Sequence, residues 1–314
     1  MLRLNRSLAA FALGACLLAL PAQGQDTVFR AESRLVVLHA SVVDRGGKLV
    51  TNLPEKAFKV YENGVEQQIK IFRREDVPVS LGLAIDNSGS MKPRREQVES
   101  AALKLVKASN PQDQVFIVNF NDEAYLDAPF TNSIEKLEEG VARIDARGGT
   151  AMRDAISMSI DYMKEQGKLD KKVVLVVTDG DDNASSVTLE ELVRKAQQSE
   201  VLVYSIGLLN DEDRGAARRA QRALNAISEA SGGLAYFPKE LTEVNQLALE
   251  VAHEIRNQYI IAYTPSNAAL DGSYRQIRVT VDGPNRPVAR TRTGYYATPE
   301  PRTRTAASPL PGSP

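Results

Sequence analysis

Val79-Ser80-Leu81-Gly82-Leu83-Ala84-Ile85-Asp86-Asn87-Ser88-Gly89-Ser90-Met91 is the segment around which the rest of the chain is laid out. A mostly apolar run ends in a carboxylate, and two hydroxyls follow at alternate positions. Such a run, bounded by turn residues, reads as a buried parallel strand. In open α/β sheets ligands sit beyond the carboxyl ends of the strands, so Asp86, Ser88 and Ser90 stand where chemistry is expected. Their oxygens are hard donors, suited to Mg²⁺, Mn²⁺ or Ca²⁺ better than to Zn²⁺. Ser, Asp and Gly after a strand also serve as turn and helix-cap residues. For Ser90 taken alone, that is the ordinary reading.

Outward from this stretch, strand-like and helix-like runs alternate from Pro78 onward. Strands are expected over 81–86, 114–120, 173–179, 201–207 and 234–237, with helices over 93–108, 133–145, 154–165, 189–198, 216–230 and 242–256. Connections of this length imply right-handed crossovers and a mostly parallel, doubly wound α/β sheet. Residues 126–130 follow Phe120 closely and read as an antiparallel return at a sheet edge. Val173-Val174-Leu175-Val176-Val177 is apolar throughout, as a central strand covered on both faces would be. It is expected beside the strand that ends in Asp86.

Two further stretches should reach the same sheet edge. In Arg147-Gly148-Gly149-Thr150 the glycines permit a close-approaching loop, and Thr150 brings a hydroxyl to a helix entry. Asp154 falls in that helix's first turn and reads as a helix-start residue. In Thr178-Asp179-Gly180-Asp181-Asp182, Asp179 closes the central strand, while Asp181 and Asp182 read as solvated loop charges.

The flanks read differently. Residues 33–77 are β-rich, with Asn63-Gly64 as a hairpin cue, and strands recur at 258–263, 274–281 and 288–293. The last two look like a pair around Gly283-Pro284-Asn285. Few strands lie in either flank, so each needs partners. The expected organisation is a signal peptide over 1–24, a β-rich flank over 25–77, the α/β domain over 78–257, and a second β-rich flank over 258–297 that joins the first. A disordered Pro-rich tail then covers 298–314.

Asp86-x-Ser88-x-Ser90, Gly-Gly-Thr150 and Thr-Asp179-Gly, in this order and context, resemble the metal-ion-dependent adhesion site (MIDAS) of a von Willebrand factor A domain. Val43-Asp44-Arg45-Gly46-Gly47-Lys48, Phe58-Lys59-Val60-Tyr61-Glu62-Asn63-Gly64 and Gly294-Tyr295-Tyr296 are similar to secreted bacterial proteins of the acidobacterial type in that family. The resemblance implies a Rossmann-like domain that holds Mg²⁺ or Mn²⁺. Ser88 and Ser90 would bind the ion directly, Thr150 directly or through water, and Asp86 and Asp179 through coordinated waters. An inner shell of neutral hydroxyls would leave the ion's charge poorly quenched, so it would attract an acidic side chain from a protein partner.

Composition narrows the function classes. The chain has 314 residues and a net charge of −1, which argues against a nucleic-acid binder. Arg3 and Arg6 precede an apolar stretch from Leu8 to Leu20, followed by Pro21-Ala22-Gln23-Gly24, the layout of a secretory signal peptide. A secreted or periplasmic location follows. The sole cysteine, Cys16, lies in that segment within Leu13-Gly14-Ala15-Cys16, so a lipid on Cys16 is the one membrane attachment the sequence suggests.

Enzyme readings fit poorly. An aspartyl-phosphate enzyme of the dehalogenase type needs a second Asp where Ser88 stands, and a receiver domain needs a lysine at another strand end, whereas Lys171 and Lys172 precede their strand. A serine triad needs a histidine base, but His39 lies in the N-terminal β segment and His253 on the last helix. Both read as packing or surface residues. The mixed-charge run around Arg214–Arg222 reads as a solvated helix face that flanks the metal edge. The expectation is a non-enzymatic, metal-dependent binding module. The alternatives are a structural module whose metal only stabilises the fold and, as a minor one, a metal-assisted hydrolase.

Overall fold

The computed structural model describes residues 35–74, 76–108, 110–142, 146–209 and 213–299. The expected signal peptide, Cys16, nearly all of the Pro-rich tail, and the end of the helix expected over 133–145 lie outside the described residues.

The described residues begin with four strands: β1 (Val36–Val43), β2 (Phe58–Glu62), β3 (Val65–Gln67) and β4 (Ile69–Arg73). The β2–β3 turn is Asn63-Gly64, with φ of 48° and 82°, the left-handed pair that a two-residue hairpin demands. The α/β part then runs β5 (Val79–Asp86), α1 (Arg95–Lys107), β6 (Gln114–Phe120), β7 (Ala124–Thr131), α2 (Ile134–Ala142), α3 (Met152–Gln166), β8 (Lys171–Thr178), α4 (Leu189–Gln198), β9 (Val201–Gly207), α5 (Arg214–Ser231), β10 (Ala235–Tyr236) and α6 (Val244–Arg256). Four strands close the described part: β11 (Tyr259–Tyr263), β12 (Tyr274–Val281), β13 (Val288–Arg290) and β14 (Gly294–Tyr296).

The central sheet has the order β10-β9-β8-β5-β6-β7, parallel except for the antiparallel edge strand β7. Strand β5 sits in the middle and is buried along its whole length. Because its side chains alternate between two covered faces, Leu81, Leu83 and Ile85 pack with α1, α2 and α6. Ala84 packs on the opposite face with α3, α4 and α5. This is the doubly wound α/β arrangement. Gly82 lies on that second face, where an added Cβ would stand 2.3 Å from the Phe116 ring of β6. The glycine makes room for a large aromatic that also meets Phe130 and Tyr162. Helix α4 begins where the sequence predicts, because Thr188 and Glu191 form a reciprocal capping box.

Strands of the two flanks pair with each other. One sheet has the order β13-β1-β11-β4 and another β14-β12-β2-β3. Their facing sides share a core of Leu38, Phe58, Val60, Tyr259, Ile261 and Tyr263. The buried Glu62 carboxylate accepts from the hydroxyls of Tyr263 and Tyr295 at 2.8 and 3.0 Å. The expected pairing of 274–281 with 288–293 is corrected. Strand β12 pairs with β2 and β14, whereas β13 crosses to the other sheet and pairs with β1. The connection carries positive φ at Asn285 and Arg286 and redirects the chain between sheets rather than closing a hairpin. The described residues belong to one compact unit, so the β part is not a body set apart from the α/β part.

Candidate metal centre

The parallel register brings the strand ends together. Asp86 pairs with Phe120 and Thr178 with Gly207, so β5, β6, β8 and β9 finish at one edge. The loops beyond them are laced by backbone bonds. Asn87 N–H donates to Phe120 O, Arg147 N–H to Asn87 O, Gly89 N–H to Gly148 O and Ala151 N–H to Asn121 O. Gly148 has φ of +76°, and a Cβ there would stand 2.2 Å from Asp122 Oδ2. Both requirements, left-handed backbone and close approach, explain the Gly148-Gly149 pair. Asp122 Oδ1 in turn accepts from Gly149 N–H at 2.7 Å.

Four of the five predicted residues form one hydrogen-bonded chain. Asp86 Oδ1 accepts from Ser88 N–H at 2.8 Å, and Ser88 Oγ lies 3.0 Å from Ser90 Oγ. Ser90 Oγ donates to Asp179 Oδ1 at 2.7 Å. Thr150 is buried beside them, and a Cβ on Gly180 would come within 3.9 Å of its Oγ1. Its backbone is clamped to the loop after β8, where Asn183 Oδ1 accepts from Thr150 N–H and Asn183 N–H donates to Thr150 O. Asp86, Ser88, Thr150 and Asp179 are buried, whereas Ser90 is exposed and opens the set to solvent.

The cap alternative can be judged from the same geometry. Ser88 sits at the N-cap of the short 3₁₀ turn Gly89–Arg94 but makes no side-chain cap bond. The N-cap of α3 is Ala151, also without a side-chain bond. These hydroxyls are therefore not engaged in capping the helices beside them.

Two residues that the sequence reading missed complete the site. Thr178 Oγ1 donates to Asp86 Oδ2 at 2.6 Å. Arg94 Nη1 donates to Asp179 Oδ2 at 2.9 Å, an ion pair in which both side chains are largely shielded from solvent. The signal for Arg94 was present, since it lies one helical turn beyond Ser90 and also donates to the Ser90 carbonyl.

Burial pushes the Asp86 carboxyl up to about 6, against the hydrogen bonds from Thr178 and Ser88 and with the help of the Asp179 charge. Burial likewise raises Asp179, opposed by Ser90 and Arg94. Against these two adjacent shielded carboxylates stands the Arg94 guanidinium, which is hydrogen-bonded to Asp179. A hard divalent ion fits that charge deficit and this donor set. Among the described residues no group of three or more His, Cys, Asp or Glu side chains gathers as a cage, so the set is of mixed hydroxyl and carboxylate character.

The neighbouring acids have other tasks. Asp182 is corrected from a solvated charge to a structural one. Its carboxylate accepts from Arg153 N–H, the Arg153 guanidinium and Ser185. Asp181 pairs with Arg219 of α5, which ties the mixed-charge helix to the site's rim. Asp154 lies in the first turn of α3 and accepts from Ser186 and Val187.

Residues 81–181 match the model of the von Willebrand factor type A domain. With its doubly wound sheet, this part of the chain is similar to a domain of that class. Inter-alpha-trypsin inhibitor heavy chain H4 of Bos taurus is similar at 25% identity over 229 residues, 66% of this chain and 24% of that protein. The chain therefore spans about a quarter of that relative's length. Among solved structures, a von Willebrand factor type A protein from Catenulispora acidiphila aligns with TM-score 0.47 and 18% identity, over 63% of this chain and 50% of its own. Proximal thread matrix protein 1 of the mussel byssus, with a zinc-occupied MIDAS motif, aligns with TM-score 0.48 and 18% identity over 58% and 49%.

Proposed function

We propose that this chain is a non-enzymatic binding module that acts outside the cytoplasm and ligates an acidic group of a protein partner through a divalent metal, Mg²⁺ or Mn²⁺. The observation that carries the reading is the exposed Ser90 hydroxyl in line with Ser88 and two shielded carboxylates. Ser88, Ser90 and Thr150 would hold the ion, with Asp86 and Asp179 orienting its waters. A bound ion supplies a concentrated positive charge facing solvent, which attracts a carboxylate. Asp86 and Asp179 offset that charge from the protein side, while Thr178 and Arg94 fix their orientation. No histidine or lysine is hydrogen-bonded to the set among the described residues. No described helix is long and apolar enough to cross a membrane.

Calorimetric titration with Mg²⁺ and Mn²⁺ tests the site, and capture of partners from cell-envelope material with and without EDTA tests the bridge. The Asp86→Ala, Ser88→Ala double variant should lose both. Unchanged partner capture by that variant would remove the bridging role and leave the ion a stabiliser of the fold.

A further inference from the structure

A cavity of about 570 Å³ lies at the end of the molecule opposite the candidate metal centre. One wall is the sheet of β1, β11 and β4. Two adjacent cross-strand rows line it: Val37, Ala262 and Ile71, then His39, Ile260 and Arg73. The other side of the same sheet is the core face that carries Leu38, Tyr259 and Ile261. An antiparallel sheet with one packed face normally alternates to polar residues on the other. Here four of six residues on the second face are apolar, and they front a cavity rather than a covering layer. The facing wall is the amino-terminal edge of the central sheet, with Lys168 just before β8 and Lys172 at its start.

The polar lining is lopsided in sign. Arg73, Lys168, Lys171, Lys172 and Arg292 line the cavity against Asp170 and Glu200. Arg73, Lys168 and Lys172 make no ion pair with a described residue, while Lys171 turns its ammonium away to the Ile255 carbonyl. Two buried polar atoms of the lining, His39 Nδ1 and Thr291 Oγ1, have no hydrogen-bond partner. Both atoms lie within the wall, out of contact with the open space of the cavity, so the groups left to meet a ligand's polar end are the unpaired lysines. Burial, reinforced by the charges of Lys171 and Arg292, holds His39 down to about 3, so it stays neutral there.

We propose that this cavity binds a small amphiphilic carboxylate, its apolar body on Val37, Ile71, Ile260 and Ala262 and its head group against Lys168 and Lys172. The volume is in the range of small-molecule sites, which combine apolar walls with a few convergent polar groups.

The test is calorimetric titration of the full chain with decanoate, below its micellar concentration, and with decanol. Decanoate should bind with one molecule per chain, about tenfold more tightly than decanol, because charged hydrogen bonds fix its head. The Lys168→Gln, Lys172→Gln double variant should lose about that factor for decanoate alone. Ile260→Glu, which puts a carboxylate into the apolar row, should abolish binding, and Mg²⁺ titration should be unaltered in all variants. Equal affinity for decanoate and decanol, or decanoate binding untouched by the lysine substitutions, would overturn the proposal.

Discussion

Replacing Asp86 with asparagine separates the stability of the site from its capacity to hold an ion. In the metal-free protein burial lifts the Asp86 carboxyl from an ordinary 3.8 to about 6. Between those values the folded state binds more protons than the unfolded state, so stability falls as pH rises. Above about pH 6 the full penalty is present, and two pKa units correspond to about 3 kcal/mol. Asparagine removes the charge, keeps an acceptor for Ser88 N–H and lets the Thr178 hydroxyl turn to accept.

Asp86→Asn in EDTA should therefore melt about 5–10 °C above the parent near pH 8 and show little difference near pH 4. Its response to Mg²⁺ should vanish. His39 and Lys171 also titrate with altered pKa values, but both are present in parent and variant and cancel in the difference. Thermal and denaturant melts in EDTA at the two pH values make the measurement. A variant less stable than the parent near pH 8, or a gain independent of pH, would refute the reasoning from burial.

Arg94→Gln removes the guanidinium hydrogen-bonded to Asp179, and calorimetry should show Mg²⁺ affinity raised by about tenfold or more, since like charges at short range repel. An unchanged or weaker affinity would mean that Arg94 orients Asp179 more than it competes with the ion. Gly82→Ala drives a methyl into the Phe116 ring and should lower stability by about 1–3 kcal/mol through overpacking, seen as a lower denaturant midpoint at unchanged slope. Tyr263→Phe leaves the buried Glu62 with the Tyr295 hydroxyl but without its second tyrosine donor. A loss of about 1–3 kcal/mol is expected from the same melts. Thr188→Ala breaks the capping box of α4 and should cost about 1 kcal/mol while leaving ion binding intact.

Local chemistry made much of the architecture readable in the chain itself. Apolar runs of strand length alternating with helix-length segments define the doubly wound sheet, and β9, β12 and α4 lie where the periodicity predicts them. The Asn63-Gly64 turn and the Gly148-Gly149 loop follow from backbone sterics that any sequence reading can apply. The register of parallel strands then carries Asp86, Ser88, Ser90 and Asp179 to one edge, because each strand delivers its carboxyl end to the same side.

Tertiary structure decided what depends on residues far apart in sequence. That β13 leaves β12 for β1 reflects pairing between segments more than 240 residues apart, on which the local Gly-Pro-Asn signal is silent. The burial of Asp182 against Arg153 and the approach of Arg94 to Asp179 arise only when separate loops meet. The level of the Asp86 carboxyl is also a tertiary property, because desolvation is set by everything packed around it. Local pattern along the chain is enough to assign the oxygens that reach the sheet edge. Only the fold decided that two of the carboxylates would be shielded together with one arginine, which turns a row of turn-forming residues into a charge deficit suited to a cation.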